Sequence, residues 1–140
     1  MRFMLIMFPG EQAEAGVLPD EKALTEMGKY NEELVKAGVL LAGEGLHPSS
    51  KGVRVTFAGG KPTVIDGPFT DAKEVIGGFW MIQVKSKEEA VEWVKRCPAS
   101  GSEKIEIRQV FEPDDFGAAL TPELREAEER LRKQASEQQR

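Results

Sequence analysis

Phe3 to Phe8 reads FMLIMF, an apolar run with no polar break. A strand that faces water on one side alternates. A run without alternation fits a strand covered on both faces, inside a sheet. Pro9 and Gly10 stop it. Whatever fold this chain adopts must therefore bring other elements to both edges of its first strand. A chain of 140 residues suggests one domain with a modest core to do so. Arg2 ahead of an apolar run superficially looks like a secretion leader. The run is too short for one, and no small-residue cleavage site follows. A strand is the better reading, and a cytoplasmic protein is expected.

Further elements follow by pattern. EQAEAGVLP (11–19) reads as a loop. Pro19 and Asp20 open a helix to about Ala37, with Leu24, Met27, Tyr30 or Asn31, and Leu34 at helical spacing. Gly38 is a natural helix stop. Val39 to Leu46 reads as a second strand, and its glycines Gly43 and Gly45 suggest a bulge or a close neighbour. HPSSKG (47–52) is a loop. Val53, Val55 and Phe57 alternate with Arg54 and Thr56, as in a strand with one buried face. Gly59 and Gly60 turn it into a partner strand, Lys61 to Ile65. DGPFTDAKE is a loop with a short helical turn at Asp71 to Glu74. Gly77 to Val84 is a strand, with Phe79 and Trp80 expected in the core and at a subunit contact. Ser86 and Glu89 form a capping box for a second helix, which Pro98 and Gly101 end. Lys104 to Phe111 is the last strand.

The order β-α-β, hairpin, β-α-β predicts an α+β fold of ferredoxin-like plan, with an antiparallel sheet and two helices on one side. The other face is left bare, and pairing of two sheets into a homodimer would cover it. The domain spans residues 1–112. Residues 113–140 form a linker and a charged C-terminal helix, begun by Thr121-Pro122. Its apolar stripe of Leu124, Ala127 and Leu131 is thin. It reads as a solvated helix or, alternatively, a dimer brace.

Composition narrows the partners. Net charge is −5, so the basic footprint of a nucleic-acid binder is missing. No apolar stretch reaches membrane-spanning length. The single cysteine, Cys97, permits no intrachain disulfide. It sits on a helix face and reads as a buried, inert thiol. With one histidine and one cysteine, no metal site is expected. Gly77-Gly78 lacks the helix and Lys-Ser/Thr of a phosphate loop, and no cofactor fingerprint is found.

DGPFTDAKEVIGGFW, EEAVEWVKRCP, AGVLLAGEGLHPSS and MRFMLIMF together resemble the YCII-related family, in particular its DGPF branch. The resemblance covers residue 1 to about 111. It implies ferredoxin-like dimers of the α/β-barrel type with a cleft in each subunit. It also implies a link, in some bacterial members, to sigma factors and so to transcription-related signalling. Other branches use a His–Asp pair near the first strand and helix, and at least one member eliminates chloride from a ring-cleavage product. This chain has no histidine there, so that pair is not carried over.

The candidate chemistry therefore rests on the residues themselves. His47 lies on a surface loop and could act as a base near neutrality if a carboxylate such as Asp66 were in reach. Asp66 could equally close an Asx-turn on its own backbone. Asp71 and Glu74 fit a capping box, although a Glu74 aimed into a cleft could serve as acid or base. Lys73 could then hold an anionic group. Phe69 reads as an apolar plug, and the pair Phe79 and Trp80 as core and subunit contact, or one of the two rings as the wall of a ligand pocket. Two functions follow. One is acid/base catalysis by Asp66, Glu74 and His47 on a small organic substrate in a dimer cleft, with Lys73, Phe69 and Phe79 as ligand contacts. The other is a non-catalytic small-ligand-binding or regulatory module. The sequence leaves open whether the protein is an enzyme.

Overall fold

A computed structural model describes residues 1–99 and 101–139. Met1–Gln109 form one unit and the residues from Val110 onward a second. In the first unit the strands are β1 (Arg2–Phe8), β2 (Leu40–Gly45), β3 (Val53–Thr56), β4 (Thr63–Asp66), β5 (Gly78–Gln83) and β6 (Lys104–Gln109). The helices are α1 (Glu11–Glu14), α2 (Glu21–Lys36) and α3 (Lys87–Lys95). Four strands pair in the order β2-β5-β1-β6, each pair antiparallel. The protein is thus an α+β protein with antiparallel sheets.

The apolar first strand lies inside the sheet, between β5 and β6. Its two faces differ. Phe3 and Leu5 are fully buried, whereas Met4, Ile6 and Phe8 are half-buried. The reason is the position of the helices. Tyr30 and Leu34 of α2 and Ala90 of α3 join Phe3, Leu5, Trp80 and Ile82 in one core. Among the described residues, no helix of this unit joins a core on the other face. Each fully buried aliphatic side chain contributes about 1.5–3 kcal/mol, so this core is what fixes the register of β1 against β5.

Local signals explain the element ends. Asp20 accepts a hydrogen bond from the Ala23 N–H at 2.8 Å and caps α2. Ser86 accepts from Glu89 N–H at 3.1 Å, while the Glu89 carboxylate reaches the Lys85 N–H at 2.8 Å. Of the expected face of α2, Tyr30 and Leu34 are buried, but Leu24 is 59% exposed. The helix begins beyond the edge of the sheet's cover.

Three expectations need correction. Residues 11–14 are a turn of helix rather than loop, because Glu-Gln-Ala-Glu are good helix formers free of their Pro9-Gly10 stop. The bulge in β2 falls between Leu40 and Ala42, ahead of the glycines, and at Gly43 it is the close neighbour that holds, with the Phe79 carbonyl and the Trp80 ring against it. Val53, Val55 and Phe57 do not form a buried face. They are 57%, 46% and 70% exposed, since among the described residues β3 and β4 pair only with each other and no layer lies over them. Gly59 and Gly60, at φ of 75° and 80°, make the turn between them.

The second unit holds α4 (Pro122–Gln138), capped by the Thr121 hydroxyl, which accepts from Leu124 N–H at 3.2 Å. Phe111 and Phe116 stack with ring centroids 4.8 Å apart. Arg125 pairs with Asp114 at 2.9 Å. Leu124 and Leu131 stay exposed. Among the described residues, no helix is long and apolar enough to cross a membrane.

Candidate functional site

The DGPF segment closes onto two distant pieces of chain. Ser49, in a short 3-10 turn (Ser49–Lys51), is the one buried polar residue among those described. Its hydroxyl donates a short hydrogen bond to the Glu14 carboxylate, and its N–H donates to the other Glu14 oxygen at 2.6 Å. The same hydroxyl accepts from the Phe69 N–H at 3.0 Å. Gly67 N–H donates to the Gly52 carbonyl at 2.9 Å. A side chain at Gly67 would run into the Ser49 carbonyl, so only glycine lets the two loops approach this closely. The Gly67–Pro68 peptide is cis. Arg54 lies over the Phe69 ring, 3.7 Å from its centroid. The segment is therefore a clasp joining α1, the HPSSKG loop and the end of β4.

Five of the six residues singled out by sequence are spread over this region, and the sixth, Phe79, lies in β5. His47, Asp66, Lys73 and Glu74 are exposed. Asp66 pairs through its backbone with Val53, but its carboxylate forms no hydrogen bond among the described residues, so the Asx-turn is absent. Ser49 takes the Phe69 N–H instead. Asp71 accepts from Lys73 N–H at 3.1 Å and caps a 3-10 turn, Ala72–Glu74, whose last residue, Glu74, is exposed. Phe69 is half-buried under Arg54.

A cleft of about 270 Å³ opens elsewhere, between α2 and the β2–β5 end of the sheet. Met7, Leu40, Asn31 and Trp80 line it, and Gly43, Gly45, Gly77 and Gly78 form its rim. Glu44 and Phe79 also border it. Gly43 stands opposite Trp80 and Gly45 opposite Gly78. Side chains alternate along a strand, so Glu44 and Phe79 border the cleft with main chain and send their side chains to the bare face. The glycines hold the cleft open. A Cβ at Gly43 would meet the Trp80 ring at 3.1 Å, and one at Gly78 would meet the Glu44 carbonyl at 3.0 Å. A Cβ at Gly77 would run into Pro9.

Trp80 is fixed from two sides. Its indole N–H donates to Asn31 Oδ1 at 2.8 Å, and Tyr30 meets its ring edge-on with centroids 5.8 Å apart. The Tyr30 hydroxyl donates to the Trp93 carbonyl at 2.8 Å. Burial raises the Tyr30 pKa well above its ordinary range, so the phenol remains a donor. Burial, with Glu103 nearby, pushes the Cys97 thiol up to about 11, which keeps it protonated and a poor nucleophile at neutral pH. Among the described residues, no three His, Cys, Asp or Glu come together in a way that could hold a metal.

Sequence reasoning missed Ser49, Glu14 and Asn31. Asn31 carried a signal, as a polar residue at a core-facing position of α2. Glu14 and Ser49 carried none, because their link spans 35 positions.

The molecule is thus an α+β domain with a small cleft at a glycine-rimmed sheet end and a separate loop clasp. It belongs to the YCII-related family, whose domain matches residues 1–114. An uncharacterised protein of Rhizobium meliloti (strain 1021) is 26% identical over 101 residues, covering 69% of this chain and 82% of that one.

Proposed function

We propose that this protein is a small-ligand-binding module whose site is the cleft between α2 and β5. The observation that carries this is the cleft itself: an apolar wall of Met7, Leu40 and Trp80, rimmed by Gly43 and Gly78, where a Cβ would crowd the Trp80 ring and the Glu44 carbonyl. The acid/base alternative would rely on His47, Asp66 and Glu74. They are exposed and stand outside the cleft lining, which favours binding over catalysis. A regulatory role in transcription-related signalling remains the wider context that the DGPF-branch resemblance suggests.

The strand order β2-β5-β1-β6, with helices on one face, supports a ferredoxin-like plan. The bare face supports a cytoplasmic homodimer of the α/β-barrel type. By register, Met4, Ile6, Phe8, Phe79 and Met81 form its apolar centre, and Lys104, Glu106 and Arg108 form one charged margin. Pairing of two such faces would cover the half-buried strip.

Fragment screening by amide NMR on the full chain tests the cleft. Bound fragments are expected to move the Trp80 indole and the Gly43 and Gly78 amides together, and Gly43→Val is expected to abolish the response. Hits that scatter over the surface, or that survive Gly43→Val, would remove the cleft from consideration.

A further inference from the structure

The Trp80–Asn31 contact says which ligand chemistry the cleft accepts, an inference that rests on the cleft being the binding site. An indole N–H only donates. Asn31 must therefore turn its amide oxygen toward Trp80, and the 2.8 Å bond holds it there. The amide nitrogen, with two N–H donors, is left without a partner among the described residues. Asn31 is half-buried and lines the cleft. The remaining wall is apolar side chain, glycine backbone and the main chain of Glu44 and Phe79, and among the described residues no Lys or Arg lines it. An anionic group would thus be desolvated there with no cation to pair it.

We infer that the cleft selects a small, mainly apolar molecule bearing a neutral hydrogen-bond acceptor, such as a ketone, ester or amide oxygen, which the Asn31 amide N–H receives beside the Trp80 ring. A ligand whose polar group only donates leaves both Asn31 N–H groups unpaired and must share the Asn31 oxygen with the Trp80 indole.

Three probes of one carbon skeleton test this: acetophenone (acceptor), ethylbenzene (no polar group) and 1-phenylethylamine (cationic donor). Each is titrated into the full-length protein, with the Trp80 indole and Gly43 amide resonances followed. Acetophenone is expected to bind about tenfold more tightly than ethylbenzene, the worth of one good hydrogen bond, with 1-phenylethylamine weakest. Asn31→Asp keeps an oxygen for the indole and removes both donors. It is expected to leave the Trp80 indole resonance in place and invert the order, so that 1-phenylethylamine binds best. Equal affinities, or an order unchanged in Asn31→Asp, would overturn the acceptor assignment and leave the cleft reading intact. No response to any probe would overturn the cleft reading and this inference with it. If Asn31→Asp fails to fold, the ranking in the unmodified protein decides alone.

Discussion

Gly67 and Gly43 lack a side chain for opposite reasons. At Gly67 the missing side chain is replaced by protein: the Ser49 carbonyl fills the space. At Gly43 the neighbour is the edge of the Trp80 ring, a side chain rather than backbone, and the cleft lies beside it. The first glycine closes a structure and the second keeps one open. A glycine in a recognisable motif is therefore no guide to where a ligand goes. Here the conspicuous tetrapeptide secures loops, and the open space lies at residues scattered over four segments.

Substitutions that restore a side chain should separate the two uses. Gly67→Ala forces the clasp apart, since backbone must move to admit even a methyl group. A loss of at least about 3 kcal/mol in urea unfolding is expected. A loss under about 0.5 kcal/mol, the range of ordinary surface changes, would show that the loops do not depend on this approach. Ser49→Ala comes next. It removes the hydroxyl shared by one Glu14 oxygen and the Phe69 N–H, while the Ser49 N–H keeps its bond to the other Glu14 oxygen, at about 1–3 kcal/mol. Its thermal midpoint should fall while fragment binding at Trp80 persists; a parallel loss of binding would tie clasp and cleft together.

Gly43→Val should behave in the reverse way. Crowding of Trp80 costs about 1–2 kcal/mol, but binding at the cleft should disappear. Retained binding would break the contrast from the other side. The smallest effect is expected at Arg54→Ala, where an exposed guanidinium leaves the Phe69 ring, worth about 0.5–1 kcal/mol. A double cycle with Phe69→Leu would isolate that contact from the rest of the clasp.

What could be read from the sequence follows from the range of the forces involved. FMLIMF placed the first strand inside the sheet because burial is written in its own residues. Asp20, Ser86 and Thr121 marked helix starts because capping acts over three positions. The exposure of Val53 and Val55 was not legible: their alternation is real, but whether a layer covers them depends on elements far along the chain. The clasp was hidden for the same reason, since Glu14, Ser49 and Phe69 meet only after folding. For the site, the Phe79–Trp80 pair could be named but not which ring faces the cleft: β5 register puts Trp80 on the helix-covered face and Phe79 on the other. A one-residue alternation decides that, and no local propensity does.

The β3–β4 hairpin has one more consequence. A two-stranded ribbon without a covering layer is marginal by itself, and this one is held chiefly at its base, by the Gly67–Gly52 bond and the Ser49 contacts. It can open while the four-stranded sheet stays intact. Its amide protons should then exchange with solvent through such openings, long before those of Leu5 or Ile82, which are released only when the whole domain unfolds. The Gly59-Gly60 tip is accordingly the place where the chain would accept an inserted segment with least disturbance to the sheet behind it.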